Sequence, residues 1–162
     1  MSGTCWIRRG ALESLLSEAR NWPLRETGGA LLGRREGELA VVEDVLGPGP
    51  EANHGLSHFE PDAKWQLEEG RRVYAESGRT VAYVGDWHTH PHGRPDPSRQ
   101  DRRTAKMIAT TTAFRAPRPL YAIASKRWHQ LRRPSWRLRM MEWHCGGLQE
   151  MELIVLEACG ES

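Results

Sequence analysis

Apolar residues recur at helical spacing between positions 10 and 21, where Leu12, Leu15, Leu16 and Ala19 share one side of GALESLLSEARN and Pro23 stops the run. This predicts a first helix. GGALLGRR and ELAVVEDVLG then read as two short strands joined by a turn at Arg35, Glu36 and Gly37, a hairpin. Residues 47–62, GPGPEANHGLSHFEPD, are dense in Gly, Pro and Asn and show no periodicity, which predicts a surface loop. Asp62 is a good N-cap for AKWQLEEGRRVYAES, where Trp65, Leu67 and Val73 sit among charges, and Gly78 suits its end. VAYVGDW predicts a buried strand running into His88, Thr89 and His90, followed by a PHGRPDP loop and a third helix over SRQDRRTAKMIATT. PLYAIASKR, SWRLRMMEW and LQEMELIVLE are three further strands, the middle one alternating Trp136, Leu138 and Met140 with Arg137 and Arg139. The first nine residues receive no element, and no repeat or low-complexity tail is present.

At 162 residues the chain has the length of about one domain, so a single domain over 1–162 is expected. Seven Trp and a 38% hydrophobic fraction can fill its core without disulfides. Cys5, Cys145 and Cys159 are odd in number, far apart and form no CxxC pair, which argues against a disulfide framework or a thiolate metal site and fits reduced thiols in a cytoplasm. No apolar run is long enough for a signal peptide or a membrane span, so cytoplasmic localisation without a membrane partner is expected.

The formal net charge is only +2, but residues 102–141 hold eleven Lys or Arg and no Asp or Glu. The molecule could therefore present faces of opposite sign. That segment reads either as a solvated surface or as a cradle for an acidic partner or nucleic acid.

The chemistry concentrates between 88 and 101. Residues two apart in a strand share a face with side chains starting ~6.6 Å apart, so His88 and His90 can converge on one ion while Thr89 points away. The loop after Pro91 turns the chain back, and Asp101 in the first turn of the next helix is a third ligand that leaves room for water, as catalytic zinc sites do. Ser98 and Asp101 also fit a capping pattern, and an HxH pair or Glu26 alone has an ordinary surface reading.

The combination is more specific. Glu26 precedes TGGALLG, and HTHPHGRPDPSRQD places Pro91 after the second histidine, with seven residues between His90 and Ser98 and two between Ser98 and Asp101. In these positions the chain resembles the JAMM (JAB1/MPN/Mov34) metalloproteases, over a core from about Glu26 to Asp101. The resemblance implies an α/β fold of α+β arrangement, a single MPN/JAB-like domain whose mixed β-sheet curves and is flanked by helices. It also implies Zn2+ held by His88, His90 and Asp101, Glu26 as proton carrier, and Ser98 as donor to the oxyanion. The implied activity is hydrolysis of an isopeptide or peptide bond after the tail of a ubiquitin-like protein. Partners would then be that modifier, its conjugates and the activating or conjugating enzymes of the same system, as in bacterial antiphage operons. Trimming of a sulfur-carrier protein is an alternative within the family. The related RadC fold, with its own His-x-His-Pro and Ser-x-x-Asp series, offers a nucleic-acid-associated alternative, which Glu26-Thr-Gly-Gly disfavours. A metal-free scaffold ranks last because every ligand is present. His54, His58, His92, His129 and His144 match no position of the signature and are read as non-ligands. Of the tryptophans, Trp87 is the one expected to shape the site.

Overall fold

The computed structural model describes residues 3–127 and 135–158, so His129, Arg132, Arg133 and Cys159 lie outside the described residues. Its elements run β1 (Thr4–Arg8), α1 (Arg9–Asn21), β2 (Gly28–Glu36), β3 (Leu39–Leu46), β4 (Asn53–His54), β5 (Phe59–Glu60), α2 (Ala63–Glu76), β6 (Ala82–His90), α3 (Arg99–Thr110), a 3-10 turn (Thr112–Phe114), β7 (Leu120–Arg127), β8 (Ser135–His144), β9 (Gly147–Glu150) and β10 (Glu152–Leu156). Eight strands form a mixed sheet in the order β10-β1-β3-β2-β6-β7-β8-β9. The expected α+β arrangement, a curled sheet flanked by three helices, is what folds.

Each helix covers apolar side chains projecting from one face of that sheet. Ala11 and Leu15 of α1 pack with Cys5, Val42, Trp87, Ala122 and Met140 in the main core. On the other face, Trp65 and Val73 of α2 cover Ala30, Leu32 and Leu46, and Ala105 of α3 covers Tyr121, Ile123 and Met141. β2 and β7 are thus buried on both faces, which is why GGALLG and LYAIAS read as continuous apolar runs rather than alternating ones. A fully buried Leu or Ile such as Leu31 or Ile123 contributes about 1.5–3 kcal/mol by leaving water.

Five readings of the sequence need correction. Residues 4–8 form β1, whose Cys5 and Ile7 alternate inward between two parallel neighbours, β10 and β3. The 47–62 segment is not all loop, since β4 and β5 pair as a two-stranded hairpin. Leu67 is exposed, leaving Trp65 and Val73 to anchor α2. LQEMELIVLE is two strands rather than one. The chain breaks at buried Met151, whose N–H donates to the Met140 carbonyl at 3.0 Å; β9 stays on β8, while β10 crosses to β1 at the opposite edge of the sheet. The curl brings the two edges together, a tertiary event that local periodicity does not encode. The hairpin turn is also displaced, to Gly37 and Glu38, where Gly37 takes φ +62° at no steric cost.

Candidate metal centre

Strand register sets the site. β2 and β6 pair antiparallel with Gly28 opposite His88, and side chains opposite each other share a face. Continuing the pairing two residues brings Glu26 across from His90. Thr27 and Thr89 therefore point to the reverse face, where both are fully buried, and the Thr27 N–H donates to Thr89 Oγ1 at 3.0 Å while the Thr89 N–H donates to the Thr27 carbonyl at 2.8 Å. Glu26 is further held through its backbone, its N–H donating to the Gly55 carbonyl at 2.8 Å and its carbonyl lying 3.0 Å from His54 Nδ1. His54 is itself stacked on Trp22 at 3.5 Å. The glycines after Glu26 are explained by close approach. A Cβ on Gly28 would lie 2.4 Å from the Trp87 carbonyl oxygen and 3.0 Å from His88 Cβ, and one on Gly29 only 1.8 Å from the Leu46 carbonyl oxygen.

His88 and His90 end β6, and α3 starts beside them. Ser98 caps α3 by accepting the Asp101 N–H at 3.1 Å, while the Asp101 carboxylate accepts the Ser98 N–H at 2.6 Å. That reciprocal box turns Asp101 toward the strand. Its Oδ1 then lies 3.1 Å from His88 Nε2 and its Oδ2 3.4 Å from His90 Nε2. The two sequence readings of Asp101, capping and metal ligation, are compatible, because the carboxylate does the first with one oxygen and keeps both facing the imidazoles. Tyr121 on β7 adds its hydroxyl at 3.4 Å from Asp101 Oδ1 and meets the His88 ring edge-on at 5.2 Å.

These groups converge on one point, each within hydrogen-bond reach of the others. One ligand atom each from His88, His90 and Asp101 falls within 4.8 Å of the others, and the two Nε2 atoms stand only 2.9 Å apart. A single proton can bridge one pair of these atoms, whereas a cation serves all three lone pairs. His90 Nδ1 lies 2.7 Å from the Arg94 carbonyl, which as an N–H donor contact would present Nε2 to the ion. Among the described residues His88 Nδ1 has no hydrogen-bond partner and is buried, so its ring is held by packing on Tyr121. Two imidazoles and one carboxylate suit a divalent metal with open coordination positions.

The electrostatics agree with one anionic and one proton-accepting carboxyl. Burial alone would raise the Asp101 carboxyl, but its bonds to His88 and His90 hold it well below the usual carboxylate range. Burial pushes Glu26 up instead, and the nearby His88 and His90 only partly pull it back. Burial would lower the His90 imidazole, yet the Asp101 carboxylate and the Arg94 carbonyl outweigh it and raise the group.

Glu26, His88, His90, Ser98 and Asp101 line one cleft of about 930 Å³, within the usual range of ligand pockets. Sequence reasoning missed several of its walls. Leu56, His58 and Phe59 overhang it from the β4–β5 hairpin, and Asp86 and Tyr121 share the face of His88. Burial raises the Asp86 carboxyl to about 6 although the Tyr83 hydroxyl donates to it at 2.9 Å. Strand period could have placed Asp86, two residues before His88; nothing local could have placed Tyr121. His92 lines the cleft with Nε2 3.2 Å from the Leu24 carbonyl. Trp87 borders the cleft as expected, though not chiefly with its ring. Its odd position in β6 sends the indole into the main core, 1% exposed, with Nε1–H donating to the Leu46 carbonyl at 3.0 Å.

Comparison with known proteins agrees with this geometry. The family model described as prokaryotic homologs of the JAB domain matches residues 8–139. A probable metalloprotease of Sinorhizobium fredii is 38% identical over 117 residues, 71% of each chain. A CD-NTase/cGAS isopeptidase of Escherichia coli is 30% identical over 54% of this chain and 56% of its own, and one of Vibrio cholerae 33% identical over 49% and 51%. The solution structure of a Desulfitobacterium hafniense protein superposes with a TM-score of 0.70 at 25% identity, covering 96% of this chain and 94% of that one. The chain belongs to the prokaryotic homologues of the JAB domain, a family of peptidases whose named members here include a metalloprotease and isopeptidases.

Proposed function

We propose that this chain is a zinc-dependent isopeptidase or peptidase that cuts after the C-terminal tail of a ubiquitin-like modifier. The observation that carries the reading is the meeting of His88, His90 and Asp101 at the floor of a cleft that also holds Glu26. His88, His90 and Asp101 would hold the ion. When bound, zinc acts as a Lewis acid that brings the pKa of water to about 7 and polarises a carbonyl. Glu26, raised by burial yet flanked by two imidazoles, takes a proton from the attacking water and returns it to the leaving amine. Ser98 uses its oxygen lone pair for the Asp101 N–H, so its own O–H remains available to donate to the oxyanion of the tetrahedral intermediate. The β4–β5 hairpin and the Pro91–Pro97 loop form the walls between which an extended tail lies.

The relatives named CD-NTase/cGAS isopeptidase support deconjugation over sulfur-carrier trimming; we place the chain in an antiphage conjugation system, with its activating and conjugating enzymes as partners. Among the described residues no helix is long and apolar enough to cross a membrane. The test is to incubate the protein with fusions of candidate ubiquitin-like modifiers, with and without a chelator, beside Glu26→Gln and His88→Ala. Cleavage should vanish with chelator and in both variants, while bound zinc is lost only in His88→Ala. Cleavage by Glu26→Gln at the native rate would remove the assigned base.

A further inference from the structure

Among the described residues the sheet has an uncovered edge beside a second cavity. β8 pairs with β7 along its whole run to residue 142, but on its other side β9 covers only Met141–His144. Among the described residues no strand pairs with residues 135–140 on that side, and β10, the opposite end strand, pairs only with β1. The edges touch at Met151 and Met140, and a cavity of about 560 Å³ opens there.

Its two sides differ in chemistry. Ser125, Arg127, Arg137 and Arg139 line one side, in register with the metal-site face because His90 pairs with Ser125 and Ser125 with Arg137. With strands ~4.8 Å apart, Arg137 stands two strands from His90. Arg139 is engaged with Asp96 and Glu150 at 2.8 and 3.0 Å, but no carboxylate of the described residues pairs with Arg127 or Arg137. Leu138, Met140, Met151 and Leu153 line the other side.

We propose that this edge of β8 takes an extended segment of a partner protein as an added strand, its carboxylates facing Arg127 and Arg137 and its alternate apolar side chains facing Leu138 and Leu153. An added strand satisfies the open backbone groups and must alternate, and the two walls dictate what alternates. A second copy of this chain does not fit, because pairing like edges sets Arg137 against arginine. Nucleic acid does not fit either, since its backbone offers neither the strand hydrogen bonds nor the apolar face. The basic excess between 102 and 141 thereby acquires a specific use at two of its residues, while Arg118 is consumed by Glu38 and Glu142.

The test uses the full chain, a labelled peptide of about eight residues alternating glutamate and valine, its lysine-valine counterpart and oligothymidine. The glutamate peptide should bind, should protect backbone amides between 136 and 139 from hydrogen exchange, and should bind about tenfold more weakly to Arg127→Glu/Arg137→Glu. No binding, binding without that protection, equal binding of the lysine peptide, displacement by oligothymidine, or full protection of those amides in the free protein would each overturn the proposal. Because binding is read without turnover, its failure leaves the hydrolase reading untouched, and the reverse also holds.

Discussion

Thr27 and Thr89 hold each other across β2 and β6 on the face opposite the candidate metal centre, each N–H donating to an oxygen of the other. Because both are fully buried, this clamp fixes the register that sets Glu26 beside His90. Thr89→Val keeps the shape but leaves the Thr27 N–H buried and unpaired, a cost of about 1–3 kcal/mol. Activity should fall further than stability explains, since a shift of about 1 Å at a reacting group is worth up to about a hundredfold. Urea midpoints and kcat/KM measured on the same preparations test this; equal proportional losses would show the clamp to be structural only.

Gly28 and Gly29 differ in what a methyl group would strike. At Gly28 it meets the Trp87 carbonyl, the Phe59 ring and His88 Cβ, so Gly28→Ala should displace His88 and lower zinc content while the protein still folds, at a cost of about 1–3 kcal/mol. At Gly29 it overlaps the Leu46 carbonyl and also crowds Trp87 Nε1, so Gly29→Ala should yield little soluble protein. Metal analysis and expression yield separate the two. Normal zinc content in Gly28→Ala would mean that this wall yields.

The legible part of the site was what covalent spacing fixes. His88 and His90 must share a strand face, and Ser98 to Asp101 is one helical turn, while the joining of these two pairs with Glu26 in one site was legible only through the resemblance to the metalloproteases. What lay hidden came from strands distant in sequence: Tyr121 reaches Asp101 only because β7 is laid parallel to β6, and His58 reaches the cleft only because β4 and β5 pair over it. Trp87 borders the cleft through its adjacency to His88, while strand alternation turns its indole into the core. In the fold, the helices were legible from apolar stripes and caps, while β1 and the break at Met151 depend on the two sheet edges approaching each other.

Cys5 and Cys145 should differ sharply toward thiol reagents. Cys5 is fully buried and burial pushes its thiol to about 12 from an ordinary 9.0, whereas Cys145 is exposed. In a Cys159→Ser background one thiol should react in the native protein and two after unfolding. Since the folded value lies above the unfolded one, the stability linked to Cys5 is complete below pH 9 and drains away as pH rises from 9 toward 12. Cys5→Ala should therefore lose less stability over that window than the parent, as read by Tm; parallel curves would contradict the burial of the thiol.

Ser98 caps α3 and is proposed to act in the reaction, two roles that a pair of substitutions can separate. Its oxygen accepts the Asp101 N–H and starts α3, and its hydroxyl proton is assigned to the oxyanion. Ser98→Ala loses both, about 1 kcal/mol of capping and the donor. Ser98→Gly sacrifices only a few tenths of a kcal/mol at the cap, because glycine is itself tolerated there, yet it removes the donor completely. If the hydroxyl acts in the reaction, Ser98→Gly should fall about a hundredfold in kcat with KM, zinc content and Tm nearly unchanged. If Ser98 only starts the helix, Ser98→Gly should retain most of the native kcat and Ser98→Ala should lose activity in step with stability. Stability ranks Ser98→Gly above Ser98→Ala under either role, but kcat falls sharply in both variants if the hydroxyl acts and stays near native in Ser98→Gly if it only caps, so measuring kcat and Tm of both variants decides between the roles.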